Sequence, residues 1–259
     1  MTGRRCTRCG RPACPQCLVS ASVGSHCVTC VRAETPPPAE RLRRWNATHT
    51  VYLAPALIAV NVAIYFLSRG GNIRTFEDKF MLYGPYVTHG RWYEIISSGF
   101  LHASLLHLAM NMLALYQLGL LLEPPLGRLR FGFLYFSALL AGSAGALIAS
   151  PHTPSLGASG AIFGLLGAAA IGLHRRGVNI WHSGLGPLLV INLLITFTVP
   201  GISAGGHVGG LIGGAAVGGV MLRPGVRLGG REIDLAGLAA AVVVAVAAVV
   251  VAFNVAASA

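Results

Sequence analysis

The chain has 259 residues, of which 54% are hydrophobic and only 10% charged, whereas soluble domains carry about 25% charged residues. This composition excludes an ordinary soluble globular protein and indicates that most of the chain lies in a membrane. The formal net charge of +11 would suit a nucleic-acid-binding protein, but the basic residues cluster in loops between apolar segments, so we expect no nucleic-acid partner.

The first feature along the chain is a set of six cysteines in three C-x2-C pairs, which are Cys6 and Cys9, Cys14 and Cys17, and Cys27 and Cys30. This spacing lets two thiolates bind one Zn²⁺, and we predict a Cys-rich zinc-binding module over residues 1–31. A disulfide-linked module is the alternative, which a reducing cytoplasm disfavours. One four-ligand site could be completed, for example, by the first and third pairs, which would leave Cys14 and Cys17 without partners. A second site would need His26 and another group, or a ligand pair upstream of Met1.

Residues 32–49 include three consecutive prolines and several arginines, which predicts a linker. Beyond it lie seven apolar stretches, most of them long enough to cross about 30 Å of hydrocarbon as a helix. They cover residues 51–68, 103–122, 131–150, 159–174, 186–200, 204–222 and 235–256. The predicted fold class is therefore an all-α polytopic membrane protein.

Basic residues mark alternate ends of these spans. They flank the first span and follow the second, fourth and sixth: Arg41, Arg43, Arg44, Arg128, Arg130, Arg175, Arg176, Arg223, Arg227 and Arg231. Because Lys and Arg accumulate in cytoplasmic loops, we expect the N-terminus in the cytoplasm and the C-terminus outside, in a multi-pass plasma-membrane protein. The long loop 69–102, which also carries basic residues, is the exception.

A few polar side chains occur inside the spans, where they are costly and therefore candidates for function. His107 and Asn111 lie near the start of the second span, Ser159 starts the fourth, and His207 lies near the start of the sixth. These three spans run in the same direction, so the four residues are expected at one depth near the outer face. Glycines along the fourth and sixth spans would let the backbones approach closely.

Ser and His form a nucleophile–base pair, and the chain has no acidic residue between positions 124 and 231. We therefore predict a dyad of Ser159 and His207 rather than a carboxylate triad. His107 and Asn111, at i and i+4, share a helix face. Together with the Ser159 N–H they are predicted to stabilise an oxyanion, and Phe163 is expected to pack against the imidazole of His207.

Three motifs, "GASG" at 157–160, "HLAMN" at 107–111 and "GHVGGLIGG" at 206–214, resemble those of the rhomboid family of intramembrane serine proteases. The resemblance covers residues 50–225 and implies a six-helix bundle in which Ser159 is the nucleophile and His207 the base. It also implies supporting roles for His102, Gly157 and Gly160. The segment 226–259 is similar to the extra helix of six-plus-one members, and the cysteines resemble the zinc-finger-like extension of actinobacterial members.

The resemblance implies a protease that needs no cofactor for catalysis, works in the lipid bilayer and cleaves transmembrane segments of other proteins near the outer leaflet. Glu94 departs from the family, since it stands where an Arg is frequent. Two alternatives are a binding protein on the same scaffold that does not cleave, and a transporter that uses intramembrane histidines. The sequence gives no prediction for the oligomeric state.

Overall fold

The computed structural model describes residues 4–20, 24–34, 51–69, 73–182, 184–223 and 234–258. The chain forms two compact units, Met1–Thr50 and Val51–Ala259. The predicted linker 32–49 lies outside the described residues, except for residues 32–34, which belong to a helix of the first unit. Residues 226–233, at the start of the predicted C-terminal segment, also lie outside them.

The first unit is a small hairpin followed by a helix. A 3-10 turn at Pro15–Cys17 leads into strand β1 (Leu18–Ser20), which pairs antiparallel with β2 (Ser25–Cys27) and is followed by α1 (Val28–Glu34). Its buried apolar side chains among the described residues are those of Cys6 and Cys27. A unit this small cannot be stabilised by a hydrophobic core alone and needs a covalent or metal cross-link.

The second unit is helical, as predicted. Its helices are α2 (Leu53–Arg69), α3 (Ile73–Phe80), α4 (Gly84–Val87), α5 (Glu94–Ser97), α6 (Leu105–Ala149), α7 (Ser159–His174), α8 (Leu185–Thr198), α9 (Ala204–Met221) and α10 (Leu235–Ser258). Of the helices described, α6, α9 and α10 are long and apolar enough to cross a membrane, and α2, α7 and α8 are shorter apolar helices. The prediction of an all-α polytopic membrane protein is confirmed, whereas the six-plus-one count of spans stays a prediction.

The second and third predicted spans lie on the single 45-residue element α6. The predicted connection between them, residues 123–130, is shorter in the structure, because the chain is helical on both sides of one residue. Gly127, with φ 75° and ψ 161°, is that residue. Only glycine readily adopts such a positive φ, and Pro124 and Pro125 just before it remove two backbone donors, so the helix breaks and changes direction here.

Glycines hold α9 against both α6 and α7. A Cβ atom added to Gly210 would collide with the backbone of Gly160, and one added to Gly214 would collide with the backbone of Gly164. On the other side of α9, Gly209 is similarly close to the backbone of α6. In a bilayer, helices associate through such close backbone packing rather than through the hydrophobic effect, so these glycines fix the arrangement of the three helices.

The carboxylate of Glu123 joins α6 to the start of α2. It accepts hydrogen bonds from the N–H groups of Tyr52 and Leu53 at 2.8 Å and from that of Ala54 at 2.9 Å. The first N–H groups of a helix have no partner inside the helix, and an acidic group stabilises this positive end. Glu123 is 1% exposed, and its role in the fold is to cap α2.

The long segment between α2 and α6 is fastened to the loop that precedes α7. Leu82 pairs with Ser155 in an antiparallel bridge, the N–H of Gly84 donates to the carbonyl of Pro151, and the N–H of Gly157 donates to that of Ser98 at 2.9 Å. The loop that leads into Ser159 is therefore held in place by backbone hydrogen bonds at both of its ends.

Candidate active site and candidate metal centre

Three helices of the second unit begin at the candidate active site. The hydroxyl of Ser104 caps α6 by accepting from the N–H of His107, and the hydroxyl of Ser203 caps α9 by accepting from the N–H of Gly206. Ser159 is the first residue of α7. His107, Ser159 and His207 thus all lie in first helical turns, where unpaired N–H groups and the helix dipole favour a negative charge.

Ser159 and His207 are in direct contact. The hydroxyl oxygen of Ser159 lies 2.7 Å from Nε2 of His207, a normal length for a hydrogen bond. His207 is 8% exposed and Ser159 is half-buried. The glycine contact between α7 and α9 sets this distance, because Gly160 directly follows Ser159 and Gly210 lies one turn beyond His207.

The imidazole of His207 is held on two further sides. Its ring is stacked on that of Phe163, with ring centroids 4.1 Å apart and an angle of 17° between the planes. Its second nitrogen, Nδ1, lies 2.6 Å from the hydroxyl oxygen of Thr196 in the last turn of α8. The ring therefore has a defined plane and a defined rotation within that plane.

His107 faces the same site across Gly157. A Cβ atom on Gly157 would lie 2.9 Å from Cε1 and 3.0 Å from Nε2 of His107, and 3.6 Å from the hydroxyl oxygen of Ser159. Gly157 also has φ 128°, which residues with a side chain rarely adopt. Glycine at this position therefore leaves room between the ring of His107 and the hydroxyl of Ser159.

Asn111 and His102 are the remaining predicted members of the site, and both are buried. The amide nitrogen of Asn111 donates to the carbonyl of His107 at 3.0 Å, which leaves one of its two N–H donors for another partner. The ring of His102 lies edge-on to that of His107 with centroids 5.1 Å apart. Neither ring nitrogen of His102 has a hydrogen-bond partner within the described part of the chain.

Among the described residues, the carboxylates of Glu94, Glu123 and Asp234 bind groups outside this site. Glu94, the departure from the family pattern, accepts from the N–H of Tyr83 at 3.1 Å and forms an ion pair with Arg91. Its burial raises the pKa of the carboxyl group, against the opposing effects of Tyr83 and Arg91. Asp234 pairs with Arg223 at 2.9 Å. His207 thus has a hydroxyl, not a carboxylate, on its second nitrogen.

Four of the six cysteines of the first unit form one cluster. The Sγ atoms of Cys6, Cys9, Cys27 and Cys30 all lie within 4.8 Å of one another, and those of Cys9 and Cys27 are 3.8 Å apart. Tetrahedral zinc with Zn–S bonds of about 2.3 Å places its sulfurs about 3.8 Å apart. The cluster therefore has the ligand number and the size that suit a structural Zn²⁺.

The ionisation of these thiols also favours a cation among them. Hydrogen bonds from the backbone of Cys9 and then of Cys27 lower the pKa of Cys6 to about 6. The neighbouring sulfurs of Cys9 and Cys27 raise the pKa of Cys30 to about 12. Four thiolates cannot collect in one place without a positive charge to balance them, and a metal ion supplies that charge.

Cys14 and Cys17, the other two predicted metal ligands, lie apart from this cluster. They are exposed residues at and beside the 3-10 turn before β1, and a disulfide bond joins them to each other. The structure thus brings the first and third C-x2-C pairs together in one cluster, whereas the cysteines of the second pair are bonded to each other.

Thr196 is the one residue of the site that the sequence did not indicate. It lies in the apolar segment "LLITFTVPG", and a threonine inside a span is common because its hydroxyl can bond to its own helix. Its spacing of 11 positions from His207 carries no helical register, because the two residues lie on separate helices. Only the packing of α8 beside α9 brings the two together.

Comparison with known proteins identifies the family. The model of the Rhomboid domain matches residues 89–224, which is more than half of the chain. Rhomboid protease GluP of Bacillus subtilis is 32% identical over 157 residues, which cover 58% of this chain and 31% of that protein. Rhomboid protein 1, mitochondrial, of Saccharomyces cerevisiae is 41% identical over 127 residues, which cover 46% of this chain and 36% of that protein.

A third relative, Inactive RHOMBOID-like protein 8 of Arabidopsis thaliana, is 34% identical over 108 residues, which cover 42% of this chain and 30% of that protein. The chain spans about a third of the length of these curated relatives. The assignment rests on the domain match, which contains His107, Asn111, Ser159 and His207. The chain belongs to the rhomboid family of intramembrane proteases.

Proposed function

We propose that the protein is an intramembrane serine endopeptidase that cleaves transmembrane segments of other membrane proteins. The observation that carries the proposal is the 2.7 Å contact between the hydroxyl oxygen of Ser159 and Nε2 of His207. A serine beside an imidazole base is the arrangement that activates a hydroxyl for attack on a peptide carbonyl. The catalytic step needs no cofactor.

In the proposed reaction, Ser159 attacks the scissile carbonyl carbon while its proton passes to Nε2 of His207. The carbonyl oxygen becomes an oxyanion, which receives hydrogen bonds from the Ser159 N–H, His107 and Asn111. When the C–N bond breaks, His207 gives the proton to the leaving amine. Water then hydrolyses the acyl-enzyme with His207 again as the base, and Ser159 is restored.

The test is cleavage of a single-span substrate protein in proteoliposomes by the wild-type chain and by Ser159→Ala and His207→Ala. We expect each substitution to lower the cleavage rate more than about 1,000-fold, since nucleophile and base act as one unit. Thermal unfolding of the two variants should match that of the wild type. Equal cleavage by all three proteins would contradict the proposal.

A second candidate is a protein that binds membrane segments without cleaving them. It is favoured by the similarity to a relative named inactive and by Glu94 at a position where the family often has Arg. This candidate predicts no cleavage by the wild type of any of several single-span substrates, together with retained binding of a substrate by Ser159→Ala.

For the first unit we propose one Zn²⁺ bound by Cys6, Cys9, Cys27 and Cys30, with a structural role. Metal analysis of the full chain should give one zinc per chain. Cys27→Ser should remove it, and Cys17→Ser, which changes a cysteine outside the cluster, should not. A wild-type protein that is free of metal after purification without chelator would contradict the proposal.

We also propose that the N-terminus lies in the cytoplasm and the active site near the outer leaflet of the plasma membrane. The arginines after alternate spans support this orientation, and it places the starts of α6, α7 and α9 at the outer side. Reporter fusions at the two termini test it, since we expect a cytoplasmic signal at the N-terminus and an external one at the C-terminus.

A further inference from the structure

Thr196 is the most deeply buried side chain in the second half of α8. It is 3% exposed, whereas its neighbours Ile195 and Phe197 are 40% and 67% exposed. Its hydroxyl oxygen lies 2.7 Å from the carbonyl oxygen of Asn192 and 2.6 Å from Nδ1 of His207. A single hydroxyl thus stands between the backbone of α8 and the imidazole.

A hydroxyl has one hydrogen to donate and two lone pairs to accept with. A carbonyl oxygen can only accept, so the contact with Asn192 requires the hydroxyl hydrogen of Thr196. Thr198, on the same helix, makes the same bond to the carbonyl of Leu194 at 2.7 Å, as threonines in helices commonly do. The contact of Thr196 with His207 is then a bond in which the imidazole N–H donates and the hydroxyl oxygen accepts.

This direction decides which nitrogen of the imidazole carries the proton. A neutral imidazole has one N–H and one accepting nitrogen. With the hydrogen on Nδ1, the accepting nitrogen is Nε2, which faces the hydroxyl of Ser159 at 2.7 Å. That is the tautomer a general base needs, because Nε2 must have a free lone pair to take the serine proton.

We propose that Thr196 is the positioning residue of the base, and that its hydroxyl oxygen holds His207 in the Nδ1–H tautomer. The inference rests on the proposed function of Ser159 and His207 and adds a third member, supplied by a different helix. The relay runs from the carbonyl of Asn192 through Thr196 to His207 and on to Ser159. It uses neutral groups throughout.

Thr196→Val tests this, because valine keeps the shape of the side chain and replaces the hydroxyl with a methyl group. Cleavage of a single-span substrate in proteoliposomes should show kcat lowered about 10-fold or more, the effect of losing one hydrogen bond that matters in the transition state. KM should stay within about twofold, since no contact with substrate is lost. Labelling of Ser159 by a fluorophosphonate should slow in parallel.

Two further variants separate positioning from a general effect on α8. Thr196→Ser keeps the hydroxyl and should restore most of the activity. Thr198→Val removes the equivalent bond of an exposed threonine two residues away, and its kcat should equal that of the wild type. A Thr196→Val enzyme as active as Thr198→Val, in a protein that Ser159→Ala inactivates, would overturn the inference and leave the proposed function intact. Persistent cleavage by Ser159→Ala would instead overturn the proposed function.

The tautomer can also be observed directly, whatever the stability of the variants. The ¹⁵N chemical shifts of His207 in the wild-type protein, assigned by comparison with a His207 variant, report which nitrogen is protonated. We expect a protonated Nδ1 and an unprotonated Nε2. A protonated Nε2 in the neutral ring would show that the Thr196 hydroxyl donates to the imidazole, and the inference would be wrong.

Discussion

The helix that carries His207 and the helix that contacts its imidazole are held in the bundle in opposite ways. The helix α9, which carries His207, contacts α6 and α7 through glycines that leave the backbones almost touching. The helix α8, which carries Thr196, points most of its large side chains outward, among them Leu194 at 58% exposure. The distance between His207 and Ser159 thus depends on rigid backbone contacts, whereas the hydroxyl on Nδ1 of His207 comes from a loosely packed helix.

This difference follows from the physics of a bilayer. Lipid tails are as apolar as leucine side chains, so large apolar residues gain little by packing on another helix, while small residues gain close contact. A glycine-rich helix is therefore fixed in position, and a leucine-rich helix such as α8 is held by few contacts. We therefore expect substitutions of the glycines on α9 to disrupt fold and catalysis together. Substitutions on α8 should affect catalysis only where the side chain contacts His207.

The largest effect is expected from Gly210→Ala. The added methyl group would collide with the backbone of Gly160, so α9 and α7 must separate. Overpacking of this kind costs about 1–3 kcal/mol, and the separation moves His207 away from Ser159, so most activity should be lost. Thermal unfolding in detergent and cleavage in proteoliposomes measure the two effects.

Gly219→Ala is the matched control for this change. It adds a methyl group to the same helix, but the nearest atoms would lie 3.8 Å away or farther, an ordinary contact distance. We expect wild-type activity and stability. A Gly210→Ala protein that behaves like Gly219→Ala would mean that backbone contact does not set the distance within the dyad.

Gly157→Ala should affect activity more than stability. Its positive φ imposes strain of about 1–3 kcal/mol on any side chain, and the methyl group would press on the ring of His107 and narrow the space beside Ser159. We expect cleavage to fall at least about 10-fold, as for a misplaced oxyanion donor.

Gly90→Ala separates strain from crowding, since Gly90 has φ 92° and nothing within 4 Å of an added Cβ atom. Gly90→Ala should lose as much thermal stability as Gly157→Ala and should keep the cleavage activity of the wild type. Equal losses of activity in the two variants would assign the effect of Gly157→Ala to backbone strain alone.

Phe163→Leu is expected to have a moderate effect. The ring of Phe163 stacks on His207, and such a ring pair contributes about 0.5–1.5 kcal/mol beyond burial, so kcat should fall a few-fold to about 10-fold. Phe131→Leu changes a similarly buried ring of α6. It lies roughly 16 Å along that helix from Gly142, where α6 meets the backbone of Gly160. It should leave kcat unchanged when corrected for stability, and an equal loss of kcat would contradict a role for stacking.

Much of the membrane fold could be predicted because apolar length and charge are local properties of the sequence. Each of the seven apolar stretches lies on a helix, two of them on α6, and the direction of alternate spans was enough to expect His107, Ser159 and His207 together. The break in α6 was misjudged, since Arg128 and Arg130 suggested a loop where one residue, Gly127, changes the direction of the chain.

The parts that could not be predicted depend on contacts between distant elements. The order of the cysteines gives Cys6, Cys9, Cys27 and Cys30 only as one possible set of four. The structure selects it because the segment before β1 lies along β2, where the N–H of Thr7 donates to the carbonyl of Ser25 and the N–H of Cys27 to Sγ of Cys6. The role of Thr196 could not be predicted for the same reason. Its partner is decided by how α8 lies against α9, while every local signal of the residue is that of an ordinary helical threonine.

The smallest effect is expected from Phe197→Ala, next to Thr196 on α8. This side chain is 67% exposed, and removing an exposed group changes stability by no more than about 0.5 kcal/mol. Thermal unfolding should be unchanged, and cleavage should be close to that of the wild type, because Thr196 and its bond to His207 remain. A loss of stability as large as that of Gly210→Ala would show that α8 is packed as firmly as α9. In that case the difference between the two helices would lie only in the size of their residues, and the orientation of His207 would rest on the whole of α8 rather than on one hydroxyl.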